Sequence, residues 1–175
     1  GAVAGAARAQ RALAYISPDM GGLTIAVNHS TALGGLGNLG VASGANTGLK
    51  TTATLLSANY KAGALAAGAV YAATSNDSIN TSNTSEWAIG ASYDLKLAKL
   101  FATYQSQATS GVDNHTAMSV SAVAPVGPGA VALSYAKNTM GGATNTDASG
   151  MTVAWLQGLS KTATFYAAYS SMSQG

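Results

Sequence analysis

The sequence predicts an all-β protein, an antiparallel transmembrane β-barrel, and three observations carry that prediction. Apolar and polar side chains alternate with a period of two over most of the 175 residues, as strands with two unlike faces require. Charged residues make up only 8% of the chain, against roughly 25% in a soluble domain. The connections between alternating runs are short and long in turn, the pattern of a membrane barrel with tight turns at one rim and long loops at the other.

About ten strands follow in order. The first, near 9–17, ends in SPDMGG (17–22), where Pro, Asp and glycines suit a tight turn, and a second runs near 23–30. The long segment TALGGLGNLGVASGANTGLK (31–50) leads to strands near 51–61 and 65–74, joined by KAGA (61–64). After TSNDSINTSNTS (74–85) comes the plainest hairpin, EWAIGASYDLKLAKLFATYQSQ (86–107). Trp87, Ile89, Ala91 and Tyr93 fall on one side of its first strand, near 86–93, and Ala88, Gly90, Ser92 and Asp94 on the other. DLKLA (94–98) turns the chain into a strand near 99–107, with Leu100, Ala102 and Tyr104 set against Thr103 and Gln105. SQATSGVDNH (106–115) reads as a third long connection, followed by strands near 116–125 and 130–137 around PVGPG (125–129). KNTMGGATNTDASG (137–150) is the fourth, and strands near 150–157 and 161–170 close the series around QGLS (157–160).

Composition narrows the reading further. The longest apolar run, AGALAAGAVYAA (62–73), is well short of the roughly 20 residues of a spanning helix, so a membrane form must be a closed barrel, which satisfies its own backbone in lipid. The apolar sides, such as Leu56, Ala58 and Tyr60 or Val131, Leu133 and Tyr135, are expected to face lipid. Ser57, Asn59, Lys61, Ser119, Ser121, Ser134, Thr162 and Thr164 are expected to face a wet lumen. Tyr15, Tyr60, Tyr93 and Trp155 lie at or near short turns, where an interfacial aromatic girdle belongs. With no cysteine, disulfides and thiolate zinc sites are excluded, and a net charge of +2 is too small to argue for nucleic acid.

Other motifs carry little chemistry. Gly35, Gly37 and Gly40 formally match a dinucleotide fingerprint, but no apolar helix follows and the next acid is Asp77, too distant to hold a ribose. The N-x-S/T matches arise from composition in polar loops. His29 and His115, the latter beside Asp113, read as exposed loop residues, since no nucleophile or carboxylate cluster accompanies them. The expectation is no enzyme, no cofactor and no metal.

Four segments in order resemble the Gram-negative general porins of the neisserial and β-proteobacterial type. They are ALAYISPDMGGLTIAVNHS (12–30), the hairpin WAIGASYDL to AKLFATYQSQ (87–107), VSAVAPVGPGAVALSYAKN (120–138) and GLSKTATFYAAYS (158–170). The resemblance implies a homotrimer of sixteen-stranded outer-membrane barrels that passes ions and small hydrophilic solutes, with lipid around it and a third loop folded into each pore. It maps residues 1–175 onto the sixth to fifteenth strands, part of a single barrel domain, with the N-terminal strands, the constriction loop and the last strand missing. Charge candidates for the pore wall or its mouths are Arg8, Arg11, Lys50, Lys61, Asp94, Lys99, Lys137 and Lys161, each of which could equally be a solvated rim charge. Arg8 and Arg11 follow the place of the constriction loop and are the leading pair. Two departures from the family pattern, Ala14 where a basic wall residue is usual and Thr162–Ala163 where Arg-Thr is usual, argue against a strong anion preference. The other reading is a structural or adhesive barrel with a plugged lumen and partner-binding loops.

Overall fold

A computed structural model describes residues 12–33, 50–76, 83–109, 112–141 and 147–174. Its strands are β1 (Ala12–Ile16), β2 (Leu23–Leu33), β3 (Lys50–Ala62), β4 (Leu65–Asn76), β5 (Thr84–Asp94), β6 (Lys99–Thr109), β7 (Val112–Val126), β8 (Gly129–Met140), β9 (Ala148–Gly158) and β10 (Thr164–Gln174). All ten lie in one sheet, each paired with its neighbours in the chain, and every pairing is antiparallel. Strands β2 to β10 run 11–15 residues, enough to cross a bilayer, for which about 9–11 tilted residues suffice.

The tight turns set the register. In β1–β2 the Asp19 carboxylate accepts the Gly22 N–H at 2.9 Å, and the Ser17 hydroxyl accepts the Ile25 N–H at 2.9 Å. Gly22 has a φ of 93° and its would-be Cβ collides with the Lys61 carbonyl oxygen, so only glycine lets β2 close on β3 there. Gly127, at φ 54°, opens the two-residue turn before Gly129, the place where hairpins of this length take glycine. Between β5 and β6, the Asp94 carboxylate accepts the Lys96 N–H at 2.7 Å, which holds Lys96 at a φ of 67°.

Because the pairs stay in step, side chains of like parity share a face from strand to strand. One row runs Tyr60, Ala67, Ala91, Ala102, Val120, Tyr135 and Met151. The row behind it on the other face runs Asn59, Gly68, Gly90, Thr103, Ser119, Ala136 and Gly150. No large side chain among the described residues is fully buried. Leu56, Ile89, Val120 and Leu133 are 46%, 51%, 47% and 49% exposed, so among the described residues the apolar face has no core beneath it.

Several boundaries differ from the sequence-based expectation. The connection expected over 106–115 is mostly strand: β6 continues to Thr109 and β7 begins at Val112, with a register shift between Gln107 and Thr109. In that stretch polar residues fall at both parities, so the hydropathy period fades while the backbone ladder continues. His115, expected in the loop at a strand end, accordingly sits inside β7, and His29, expected at the end of the second strand, sits inside β2, which runs on to Leu33. Strand β10 begins at Thr164, not at 161. Thr162, expected on a wet strand face, lies in the preceding turn, where its N–H donates to Ser160 Oγ at 3.2 Å.

Candidate functional site

The polar face is the candidate site, and its middle is neutral. Ser92, Phe101, Ser121, Ser134, Thr152 and Ser170 share one register row. Hydroxyls meet across strands, Thr103 to Ser119 at 2.7 Å and Thr152 to Ser170 at 2.9 Å. Ala14 lies on this face too, opposite Asn28. Small hydroxyl, amide and methyl groups of this kind stay hydrated without a compensating partner and leave the space in front of the sheet open.

Ionisable side chains stand at the two ends of this face. At the short-turn end are Lys61, two residues from the β3–β4 turn, and Asp94 and Lys99, opposite each other across the β5–β6 turn. The Lys99 ammonium sits 5.3 Å from the centroid of the Phe101 ring, a cation–π contact. At the opposite end Glu86, Gln107 and His115 share a register row, and Glu86 Oε1 accepts a hydrogen bond from Gln107 Nε2. The His115 Nδ1 atom is buried without a hydrogen-bond partner. Glu86 was passed over by the sequence reading, although its parity with Asp94 along β5 is enough to place it on this face.

The remaining candidates are scattered. Lys161 occupies the β9–β10 turn. Lys137 shares the parity of Tyr135 and so stands on the apolar face, opposite Met118, at the end of the belt. There it pairs with Asp147 at 3.4 Å. Lys50 opens β3, and Arg8 and Arg11 lie outside the described residues. Among the described residues no group of three His, Cys, Asp or Glu side chains could hold a metal ion.

On the apolar face, Tyr15, Tyr60 and Tyr93 lie within two residues of short-turn strand ends, and Trp155 lies three residues from the end of β9. The Trp155 ring rests on Gly129, whose would-be Cβ would come within 2.6 Å of Cζ2. Trp87 stands three residues from the long-loop end of β5, and Tyr71, Tyr104 and Tyr135 stand near the middle of β4, β6 and β8, with the Trp87 and Tyr104 rings 5.4 Å apart. The sequence reading singled out only the first set. The rings at the short-turn end form a row of amphipathic side chains of the kind an interfacial girdle takes.

Comparison with known proteins agrees with this geometry. A family model described as Gram-negative porin matches residues 1–175. Among solved structures, the chain is similar to an anion-selective porin from Comamonas acidovorans, with a TM-score of 0.70 and 22% identity, covering 95% of this chain and 49% of that one. The chain thus spans about half the length of that relative. None of the curated proteins compared matches it.

Proposed function

Because this chain belongs to the Gram-negative porin family, we propose that it forms part of the wall of a water-filled outer-membrane channel for passive diffusion of ions and small hydrophilic solutes. The carrying observation is the register-wide separation of an aliphatic and aromatic face from a hydroxyl-rich one. Moving one large aliphatic side chain from water to hydrocarbon is worth about 1.5–3 kcal/mol, so the first face favours lipid. The second has no such gain and keeps its contact with water. A ten-stranded sheet with two edges cannot stand alone in lipid, so the proposed channel is completed by further strands. Passage requires no covalent step.

The solved relative is named for anion selectivity, but the charge pattern here supports general diffusion with weak preference. On the described wall, Lys61 and Lys99 are balanced by Asp94 and Glu86, and a pore selects through its lining charges and width. A homotrimer, implied by the family resemblance, belongs to the same proposal. The test is single-channel current and reversal potential of the full-length native protein in a planar bilayer. Stepwise openings with a small reversal potential in a salt gradient are expected. Verified insertion without current sinks the open-channel reading and favours a plugged barrel.

A further inference from the structure

On the wall face near the short-turn end lies a recess of about 510 Å3, and its outline follows from two register rows. One row is Asn59, Gly68, Gly90 and Thr103, and the next is Lys61, Ala66, Ser92 and Phe101. Strands β4 and β5 form the floor, where glycine and alanine leave the backbone bare, while β3 and β6 raise the sides. A Cβ on Gly68 would stand 3.1 Å from Asn59 Oδ1, and one on Gly90 would stand 3.4 Å from Thr103 Cγ2. The bare floor therefore makes the space.

The sides are chemically mixed. Phe101 puts a half-buried apolar ring on one side of the recess, with the Lys99 ammonium 5.3 Å from its centroid. Facing it across the floor are the Asn59 carboxamide, which both donates and accepts, and the Lys61 ammonium. Ser92 and Thr103 add hydroxyls, and the Asp19 carboxylate at the edge offsets the charge of Lys61. An inorganic ion can engage the amide or the ammonium but has no apolar surface to lay along the ring. A compact molecule with a C–H face and hydroxyls around its rim uses both ring and amide.

We propose that this recess is a transit subsite for a neutral sugar of monosaccharide size, lying against Phe101 with its hydroxyls toward Asn59, Lys61 and Ser92. The inference rests on the porin reading above and adds a solute class to it. The volume is within the roughly 300–1,000 Å3 of small-molecule sites. The recess also opens on one side, which keeps binding weak enough for the solute to leave again, as conduction requires.

The experiment uses the full-length channel in a planar bilayer with D-glucose as the probe, after opening in potassium chloride has been verified for each variant. Expected is a reduction of current that saturates with glucose. Phe101→Ala should raise the half-saturating concentration about fivefold, the worth of one aromatic contact. Gly90→Leu, which fills the floor and keeps the ring, should abolish saturation while the salt current persists. A current that falls linearly with glucose, or saturation unchanged in both variants, overturns the subsite while leaving the channel intact. Saturation by lactate instead of glucose, lost in Lys61→Gln, overturns the sugar assignment in favour of anions. A wild-type membrane that never conducts overturns the channel reading and the subsite together.

Discussion

Val120 and Ser121 are neighbours on β7, yet they stand on opposite faces of the sheet. Val120 lies in a row with Ala102 and Tyr135, and Ser121 in a row with Phe101 and Ser134. The backbone treats them alike, with the same ladder and the same strand. What separates them is the medium each face meets, and among the described residues neither face is covered by a second layer. In a soluble sandwich one of these faces would be covered by protein. Here both remain surfaces among the described residues, with large side chains on one and hydroxyls on the other.

Substitutions can break that contrast or sharpen it. The largest effect is expected from Val120→Arg, which sets a charge on the lipid face and should cost about 2–4 kcal/mol of folding free energy in bilayers, read by denaturant titration. Ser121→Arg, one residue along, should leave stability nearly unchanged and instead move the reversal potential toward anions. Equal destabilisation by the two would refute the assignment of faces. Gly129→Val is expected to come next. It presses on both the Leu156 carbonyl oxygen and the Trp155 ring, at a cost of about 1–3 kcal/mol, and should change the Trp155 contribution to fluorescence in a Trp87→Phe background.

Smaller effects separate the middle of the wall from its rim. Thr103→Val removes the 2.7 Å hydroxyl contact with Ser119 and should cost about 1 kcal/mol or less, because water can replace the lost partner. Conductance should be preserved. Lys137→Met breaks an exposed ion pair with Asp147, worth less than about 1 kcal/mol. It should leave the reversal potential unchanged if the outward parity of Lys137 is correct, and a clear shift would return that lysine to the pore mouth.

Which features were legible in the sequence depended on how local their causes are. Alternation and turn chemistry act over two to six residues, so the hairpin through Asp94 and Lys99 was placed almost to the residue. The upper parts of β6 and β7 were not. Ser106 to Thr109 and Val112 to His115 carry polar residues at both parities, with only Ala108 and Val112 apolar, and hydropathy does not separate a solvated strand from a loop when the distinguishing bonds are backbone ones. The site was legible by residue type but less so by side. Lys137 was grouped with wall charges although counting from Tyr135 turns it outward, and Glu86 was overlooked although counting from Asp94 turns it inward. Parity, once anchored by an aromatic at a turn, decides both. The recess was illegible for another reason: Asn59, Gly68, Gly90 and Thr103 span 45 positions of chain, and only the register sets them side by side.

The strictly sequential order of the sheet has a consequence for how such walls can change. Every strand touches only its chain neighbours, so a hairpin is a modular tile. Gaining or losing two strands and their turn alters the circumference of the ring and leaves every other tile with its inside still inside. A single residue inserted within a strand exchanges the two media for everything beyond it up to the next turn. Variation in whole hairpins and in loops is therefore cheap, whereas variation within a strand is confined to substitution.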